Sequence, residues 1–375
     1  MKVCFVIPSF DFFLSHRLDL IETIASFHEV TVLTDTDEVN PEKLIQIKEM
    51  PFRVVHNPRR KESGIFPILK NLLLLRKSIK KTCPDQVFFI TIECAIFGAL
   101  ISRFSGGYIS NFVFSGLWPF FSLNSAKYKV LDFIAGAIFR FAASKKNSTY
   151  IFQNSDHRSL FIDKKIIDPK DTKLIYGNGI KLAEIDLSEN LKEINARFCF
   201  VGRLAKSKGL EDFIDALEIL ESKNYKVSAL IAGYREEGSH DYFHSSFYGR
   251  LKQKNNIQFL EEIEYSKVLK IYQHGDVFVL PSYGEGLPKA ALEAASLSLP
   301  LILSNVSGCK ECIEGNGYLV EKENPQKLAE SMSKFLLEPK MMREMGKKSN
   351  QLIKKKFSLE KISSEYLSLI EETKV

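Results

Sequence analysis

The chain has 375 residues, 45% of them hydrophobic and 26% charged. That composition suits about two globular domains and excludes a disordered chain. Lys and Arg number 52 against 46 Asp and Glu, and the resulting net charge of +6 allows an anionic partner without singling out nucleic acid.

Residues 3–7 form an apolar run closed by Pro8. With one Lys before it and so short a core, this reads as a first strand and not as a signal peptide. No apolar run reaches the ~18 residues of a membrane-spanning helix. The expectation is a cytoplasmic protein, neither secreted nor integral to a membrane. Leu14, Leu18, Ile21, Ile24 and Ala25 then recur at helical spacing, and Val30 to Leu33 is a short β-branched strand. Further strands are expected near 52–56, 86–92, 109–114, 149–152 and 172–175, with amphipathic stretches between them. Strands alternating with helices imply a parallel sheet covered on both faces.

Residues 184–196 turn polar and read as a linker. A second alternating series opens at Arg197, with strands expected near 226–232, 257–260, 276–280 and 300–303. The division is therefore 1–183, linker 184–196, 197–356, and a last helix over 357–375 that packs back toward the first domain. Two such α/β domains would face each other across a cleft at the carboxyl ends of their strands, where open α/β sheets bind ligands. The six cysteines are scattered, as suits a reducing compartment. Cys309-x-x-Cys312 has no second pair and reads as two incidental thiols on a short helix.

Two segments carry chemistry. In Phe200-Val201-Gly202-Arg203-Leu204-Ala205-Lys206-Ser207-Lys208-Gly209 an apolar strand ends at Gly202, a basic loop follows, and a helix opens with acids in its first turn. Gly202 permits close approach of a ligand, and Arg203 with Lys208 sets a guanidinium fork and an ammonium at the strand end, suited to an anion. The plain structural reading is a solvated basic loop. The second segment runs from Leu280 through Gly284-Glu285-Gly286-Leu287-Pro288 to Glu293. A strand, a glycine turn and a Pro-started helix place backbone N–H groups where they can cradle a phosphate. Glu285 before that helix can accept hydrogen bonds from sugar hydroxyls, and Glu293 within it can reach a ribose. Alone, Glu285 could equally be a helix-start acid and Glu293 a surface acid. A third stretch, Ser307-Gly308-Cys309-Lys310-Glu311 and then Gly315 to Val320, reads as a glycine turn, a short helix and a strand, and is weak by itself.

These three segments, in this order and spacing, resemble the donor half of glycosyltransferase family 4, closely over about residues 197–340. The first half is more loosely similar to bacterial O-antigen, capsule and protein-glycan transferases, through Phe12 to Arg17, Ser115-Gly116-Leu117, Ile151 to Asn154 and Gly177-Asn178-Gly179. α-N-Acetylgalactosaminyltransferases that extend lipid-linked glycans are the most similar of these. The resemblance implies a GT-B fold, two Rossmann-like domains facing a cleft, and retaining transfer of a hexose or N-acetylhexosamine from its UDP-sugar to a glycan. It implies that Gly202, Arg203, Lys208, Glu285, Gly286, Leu287 and Glu293 bind the donor. Arg203 and Lys208 would neutralise the leaving diphosphate and Glu285 would hold the sugar. His16, Ser115, Gly116 and Asn178 fall to the acceptor side. The chain departs from the family in its first loop, Pro8-Ser9-Phe10-Asp11 where many members have paired glycines. It departs again at Phe88 to Glu93, where many have His-x-His.

No metal or other cofactor is expected. Asp35-Thr36-Asp37 has the D-x-D form with which GT-A transferases hold a divalent ion, but it follows a strand of the acceptor half. His240 and His244 sit in a polar loop without an acid array. Arg59-Arg60-Lys61 with residues 66–81, and residues 127–146 with Lys127, Lys129, Arg140, Lys145 and Lys146, are basic amphipathic segments. They suit an anionic membrane surface at the inner face of the cytoplasmic membrane. Expected partners are thus a nucleotide-sugar, a glycan or polyprenyl-diphosphate-linked glycan, and a membrane, with no nucleic acid. A small soluble acceptor, or a nucleotide-sugar-binding module without turnover, are the alternatives.

Overall fold

The computed structural model describes residues 1–37, 39, 47, 49–58, 64–105, 107–117, 126–143, 147–182, 196–235, 241–263 and 265–372, with backbone alone at 65, 127, 143, 265 and 266. The linker expected at 184–196 lies outside them except for Ala196, as do Arg59-Arg60-Lys61, Lys145, Lys146, His240 and the side chain of Lys127. The chain forms two units: Met1–Gly179 with Leu359–Val375, and Ile180–Ser358.

The first unit is built on strands β1 (Lys2–Ile7), β2 (Glu29–Thr34), β3 (Phe52–His56), β4 (Gln86–Ile90), β5 (Ile109–Phe114), β6 (Ser148–Phe152) and β7 (Thr172–Leu174). They lie in the order β3-β2-β1-β4-β5-β6-β7, and all pairs are parallel. Nearly every residue of β1, β4 and β5 is buried, as expected of parallel strands covered on both faces. Helices α1 (Phe10–His16) and α2 (Leu18–Ala25) share one core with residues 359–370. Helices α3 (Ile65–Thr82), α4 (Ile92–Phe104), α5 (Ala126–Ala143) and α6 (Ser155–Asp163) cover the other face. The chain runs from β1 toward β3 on one side and from β4 outward on the other. The carboxyl ends of β1 and β4 are therefore a switch point of the kind where α/β sheets take ligands.

The periodic run expected as one helix over 14–25 is two. The break is Arg17 (φ −125°, ψ −13°), which is wholly buried and whose Nη1 donates to Tyr366 Oη at 3.3 Å. Strand β4 ends at Ile90, short of the expected 92, because Thr91 turns the chain into α4 with φ +81°. On α6, Asn154 caps the helix: its Oδ1 accepts from His157 N at 2.8 Å, and its amide faces His157 Nδ1 at 2.9 Å. Burial pushes His157 down to about 4 from 6.5, with Asp156 opposing weakly. The folded state resists protonation, so its stability is intact above pH 6.5 and is lost as pH falls toward 4. The loss reaches ~3 kcal/mol, from about 2.5 pH units at ~1.36 kcal/mol each. Urea titrations at pH 7 and pH 4 should show this loss, and His157→Gln should reduce it by about that amount.

The second unit has β8 (Arg197–Arg203), β9 (Ser228–Tyr234), β10 (Ile257–Glu261), β11 (Val277–Leu280), β12 (Leu301–Ser304) and β13 (Gly317–Val320), in the parallel order β10-β9-β8-β11-β12-β13. Its α-helices are α7 (Leu210–Ser222), α8 (Ser245–Gln253), α9 (Tyr265–Tyr272), α10 (Lys289–Ser296), α11 (Pro325–Leu337) and α12 (Pro339–Leu352). A wide turn at Ile353–Phe357 leads to α13 (Leu359–Glu372), which belongs to the first unit. There Gln86 Nε2 donates to Ile370 O at 2.8 Å. The switch point of the second sheet lies between β8 and β11, the two strands that end in the sequence-read motifs.

Candidate active site

The loops after β8 and β11 are fastened to each other. Tyr283 N donates to Ser207 O at 2.8 Å. Gly209, at φ +69°, stands so close to Pro281 that an added Cβ would lie 2.1 Å from Pro281 O. A third segment braces the first loop: Lys206 N donates to Asp241 O at 3.0 Å, Ser207 N donates to Asp241 Oδ1 at 2.7 Å, and Ser207 Oγ also meets the Asp241 carboxylate. Tyr248 Oη donates to Leu204 O at 2.8 Å.

The fastening brings two of the sequence-read residues into contact. Lys208 Nζ lies 2.6 Å from Glu285 Oε1, and Ser282 Oγ donates to the same oxygen at 2.7 Å. Both charged side chains are mostly shielded from solvent, which strengthens a charge-assisted contact. Glu293 is buried on α10, with Tyr272 Oη at 3.2 Å from Oε2 and Lys289 Nζ at 3.4 Å from Oε1. Gly202 and Arg203 end β8 beside this loop, and a Cβ on Gly202 would meet nothing within 4 Å, so the backbone there borders open space. Gly286 and Leu287 lie in the turn that leads into α10.

Sequence reasoning missed Tyr272 and Asp241, whose partners lie 21 and 34 residues away, and it passed over Ser282 and Lys289, which sit within the second segment three and four residues from the glutamates they meet. It also undervalued Gly308. At φ +78°, its Cβ would lie 2.2 Å from Gly286 O, so this turn forms the floor of the Glu285–Gly286 loop. Gly308→Ala must push that loop away. A displacement of ~1 Å at such a site costs about 10²-fold in rate, and the strained φ costs stability as well. Lower turnover together with a lower melting temperature is the expected result. Cys309 and Cys312 are buried free thiols, the second on a 3₁₀ turn at Lys310–Cys312. Burial first, and then the Glu285 charge, hold Cys309 well above the usual thiol range.

The acceptor-side residues of the first unit are less concentrated. His16 stacks on Phe12 (centroids 4.6 Å apart, planes 4° apart), and its Nδ1 is 2.7 Å from Ser15 Oγ. Ser115 and Gly116 follow β5, and Asn178 Oδ1 accepts from Gln153 Nε2 at 3.3 Å. At the β1/β4 switch point Asn57, Asn71 and Glu93 join Pro8 and Phe97 around a cavity of about 50 Å³. Asp35 and Asp37 are met by His56, and one ligand atom from each falls within 4.8 Å of the others. His56 Nδ1 also lies 2.9 Å from Thr36 Oγ1. This is the one three-residue group of metal-ligand type among the described residues. His244 caps α8, its ring accepting from Ser246 N at 3.4 Å.

Residues 183–352 match the family model of glycosyl transferases group 1. The second unit is a glycosyl transferases group 1 domain, and the chain is a glycosyltransferase. It is similar to the capsular polysaccharide biosynthesis glycosyltransferase CapM of Staphylococcus aureus, 26% identical over 346 residues and 88% of each chain. It is also similar to the N,N'-diacetylbacillosaminyl-diphospho-undecaprenol alpha-1,3-N-acetylgalactosaminyltransferase of Campylobacter jejuni, 23% identical over 344 residues and 86% of each chain. Among solved structures, Anabaena HepE in complex with UDP and glucose superposes with a TM-score of 0.77 at 18% identity, covering 99% of this glycosyltransferase and 100% of that chain. The expected α/β class and GT-B fold, with two Rossmann-like halves, therefore hold.

Proposed function

We propose that this glycosyltransferase moves a sugar from a UDP-sugar, with retention, to a glycan carried on polyprenyl diphosphate. It would do so without a metal, at the inner face of the cytoplasmic membrane, in the assembly of a bacterial surface glycan. The observation that carries the donor side is the Glu285 carboxylate held between Lys208 and Ser282, with buried Glu293 one motif-length further on. The acceptor class is supported by the Campylobacter jejuni relative, whose name specifies a diphospho-undecaprenol acceptor, and the pathway by the capsular relative.

In this reading Arg203 and Lys208 take the diphosphate and offset the charge that develops as it leaves, a large catalytic term. Glu285 accepts hydrogen bonds from donor-sugar hydroxyls, Glu293 from the ribose, and the backbone at Gly286 and Leu287 assists. The anomeric carbon exchanges its bond to the β-phosphate oxygen for one to the acceptor oxygen on the same face. The leaving phosphate oxygen takes the acceptor's proton, so no side-chain nucleophile is required. The first unit, through His16, Ser115, Gly116 and Asn178, would hold the acceptor.

The test is a donor screen. UDP-, GDP- and dTDP-sugars are incubated with the protein in EDTA, with and without bacterial lipid extract, and the released nucleoside diphosphate is measured. Release from one UDP-sugar, stimulated by lipid and insensitive to EDTA, is expected. Loss of release in EDTA that Mg²⁺ restores would overturn the metal-free reading and turn attention to Asp35, Asp37 and His56.

A further inference from the structure

A helix laid on a sheet turns its apolar side inward and its polar side to water. Helix α3 obeys on its inner side, where Leu75 and Ile79 are buried. Its outer side does not: Phe66 is 81% exposed, and Leu69 and Leu73 lie on the same outward stripe. Helix α5 repeats the inversion, with Ala135 and Phe139 buried while Phe133, 70% exposed, and Ile134 face out.

The two stripes belong to one surface. Helices α3, α4 and α5 cover the same face of the sheet, since Leu75, Ala99 and Phe139 share one core. Arg76 Nη2 donates to Phe104 O at 3.3 Å, joining α3 to the end of α4. Phe104 meets Phe141 at 6.1 Å between centroids, joining α4 to α5, with the Arg103 guanidinium over the Phe141 ring. Among the described residues, eight of the fourteen exposed large hydrophobic side chains lie on these three helices. Scattered surface apolar residues need no explanation, whereas a joined patch marks an interaction surface.

Charge identifies the partner. Helix α3 carries Lys70, Arg76, Lys77, Lys80 and Lys81 and no acid. Helix α5 carries Lys127, Lys129 and Arg140 against Asp132 as its one acid. A second copy applied to this face would bring like charges together. A layer with an apolar interior and an anionic surface suits both features at once.

We propose that the α3–α4–α5 face of the first unit docks on an anionic phospholipid bilayer. The outward Phe and Leu side chains enter the interfacial layer, and the flanking Lys and Arg side chains meet the headgroup phosphates. This names the surface by which the enzyme reaches a lipid-linked acceptor, and it rests on the proposed function for the acceptor alone.

The experiment is flotation of the full chain at low salt with phosphatidylcholine vesicles, with and without phosphatidylglycerol. Wild type should float with the anionic vesicles and stay below with the neutral ones. Phe66→Ser/Leu73→Ser/Phe133→Ser should remain in solution. Lys77→Gln/Lys81→Gln, which keeps every apolar contact, should bind about 30-fold more weakly, each cation near the surface contributing about a factor of five. Both variants should release UDP from the donor as wild type does without lipid. A wild type that ignores anionic vesicles, or variants that float as it does, would overturn the proposal. So would a concentration-dependent dimer that the serine variant abolishes, which would assign the face to a second copy. A wild type that floats but shows no lipid-stimulated transfer would keep the docking surface and reject the lipid-linked acceptor.

Discussion

Glu285→Gln should lower turnover by about 10²–10³-fold while moving the melting temperature by no more than about 2–4 °C. The substitution keeps the size of the side chain and one oxygen for the Ser282 hydroxyl, which donates to Glu285 Oε1 at 2.7 Å. It removes the charge that pairs with Lys208 Nζ at 2.6 Å. In the proposed reaction that carboxylate orients the donor sugar and keeps the ammonium beside the diphosphate. Both tasks matter most when the bond to phosphate is breaking, so the loss should appear in kcat more than in KM. A residue that merely tied two loops together would behave differently. Its loss would lower the melting temperature and leave turnover near wild type at reduced temperature.

Lys208→Met should cost a similar factor of about 10²–10³. Lys208 lies on the loop whose position is set by Gly209 against Pro281 and by Ser207 against Asp241, so its ammonium is held in place before any donor arrives. Removing it leaves Arg203 as the remaining cation of the pair read from this segment. The double variant Glu285→Gln/Lys208→Met should be little worse than either single one, because the two side chains share one contact and act as a unit. Additive losses in a cycle of steady-state rates would mean that the two residues act independently, and the proposed joint role would fall.

Much of the fold was legible because its strands are unbroken apolar runs. The runs expected as strands near 86–92 and 276–280 form β4 (Gln86–Ile90) and β11 (Val277–Leu280), buried throughout. The break at Arg17 was not legible, since the hydrophobic spacing continues across it. It depends on a guanidinium reaching Tyr366, 349 residues away. In the site, the Glu285 and Glu293 pair and the Arg203 and Lys208 pair stood out by spacing and loop chemistry. Gly308 did not, because a glycine in a weak motif acquires meaning only when Gly286 O is found where its Cβ would be. Asp241 was silent for the same reason: its bond to Ser207 spans 34 residues and leaves no local pattern. For α3 and α5 the sequence announced basic amphipathic segments with a broad apolar face. Which apolar residues turn inward and which turn out is decided by packing on the sheet, and periodicity does not report it.

The most direct measurement is transfer of a labelled sugar from its UDP donor into the organic phase of a bacterial polyprenyl-diphosphate glycan extract. Wild type and Glu285→Gln would be compared at equal concentration. Wild type is expected to move the label from the aqueous nucleotide to the lipid, and the variant to leave nearly all of it on the nucleotide. Folded wild type that moves no label from any UDP-sugar, or a variant that moves it as fast as wild type, would contradict the proposed function.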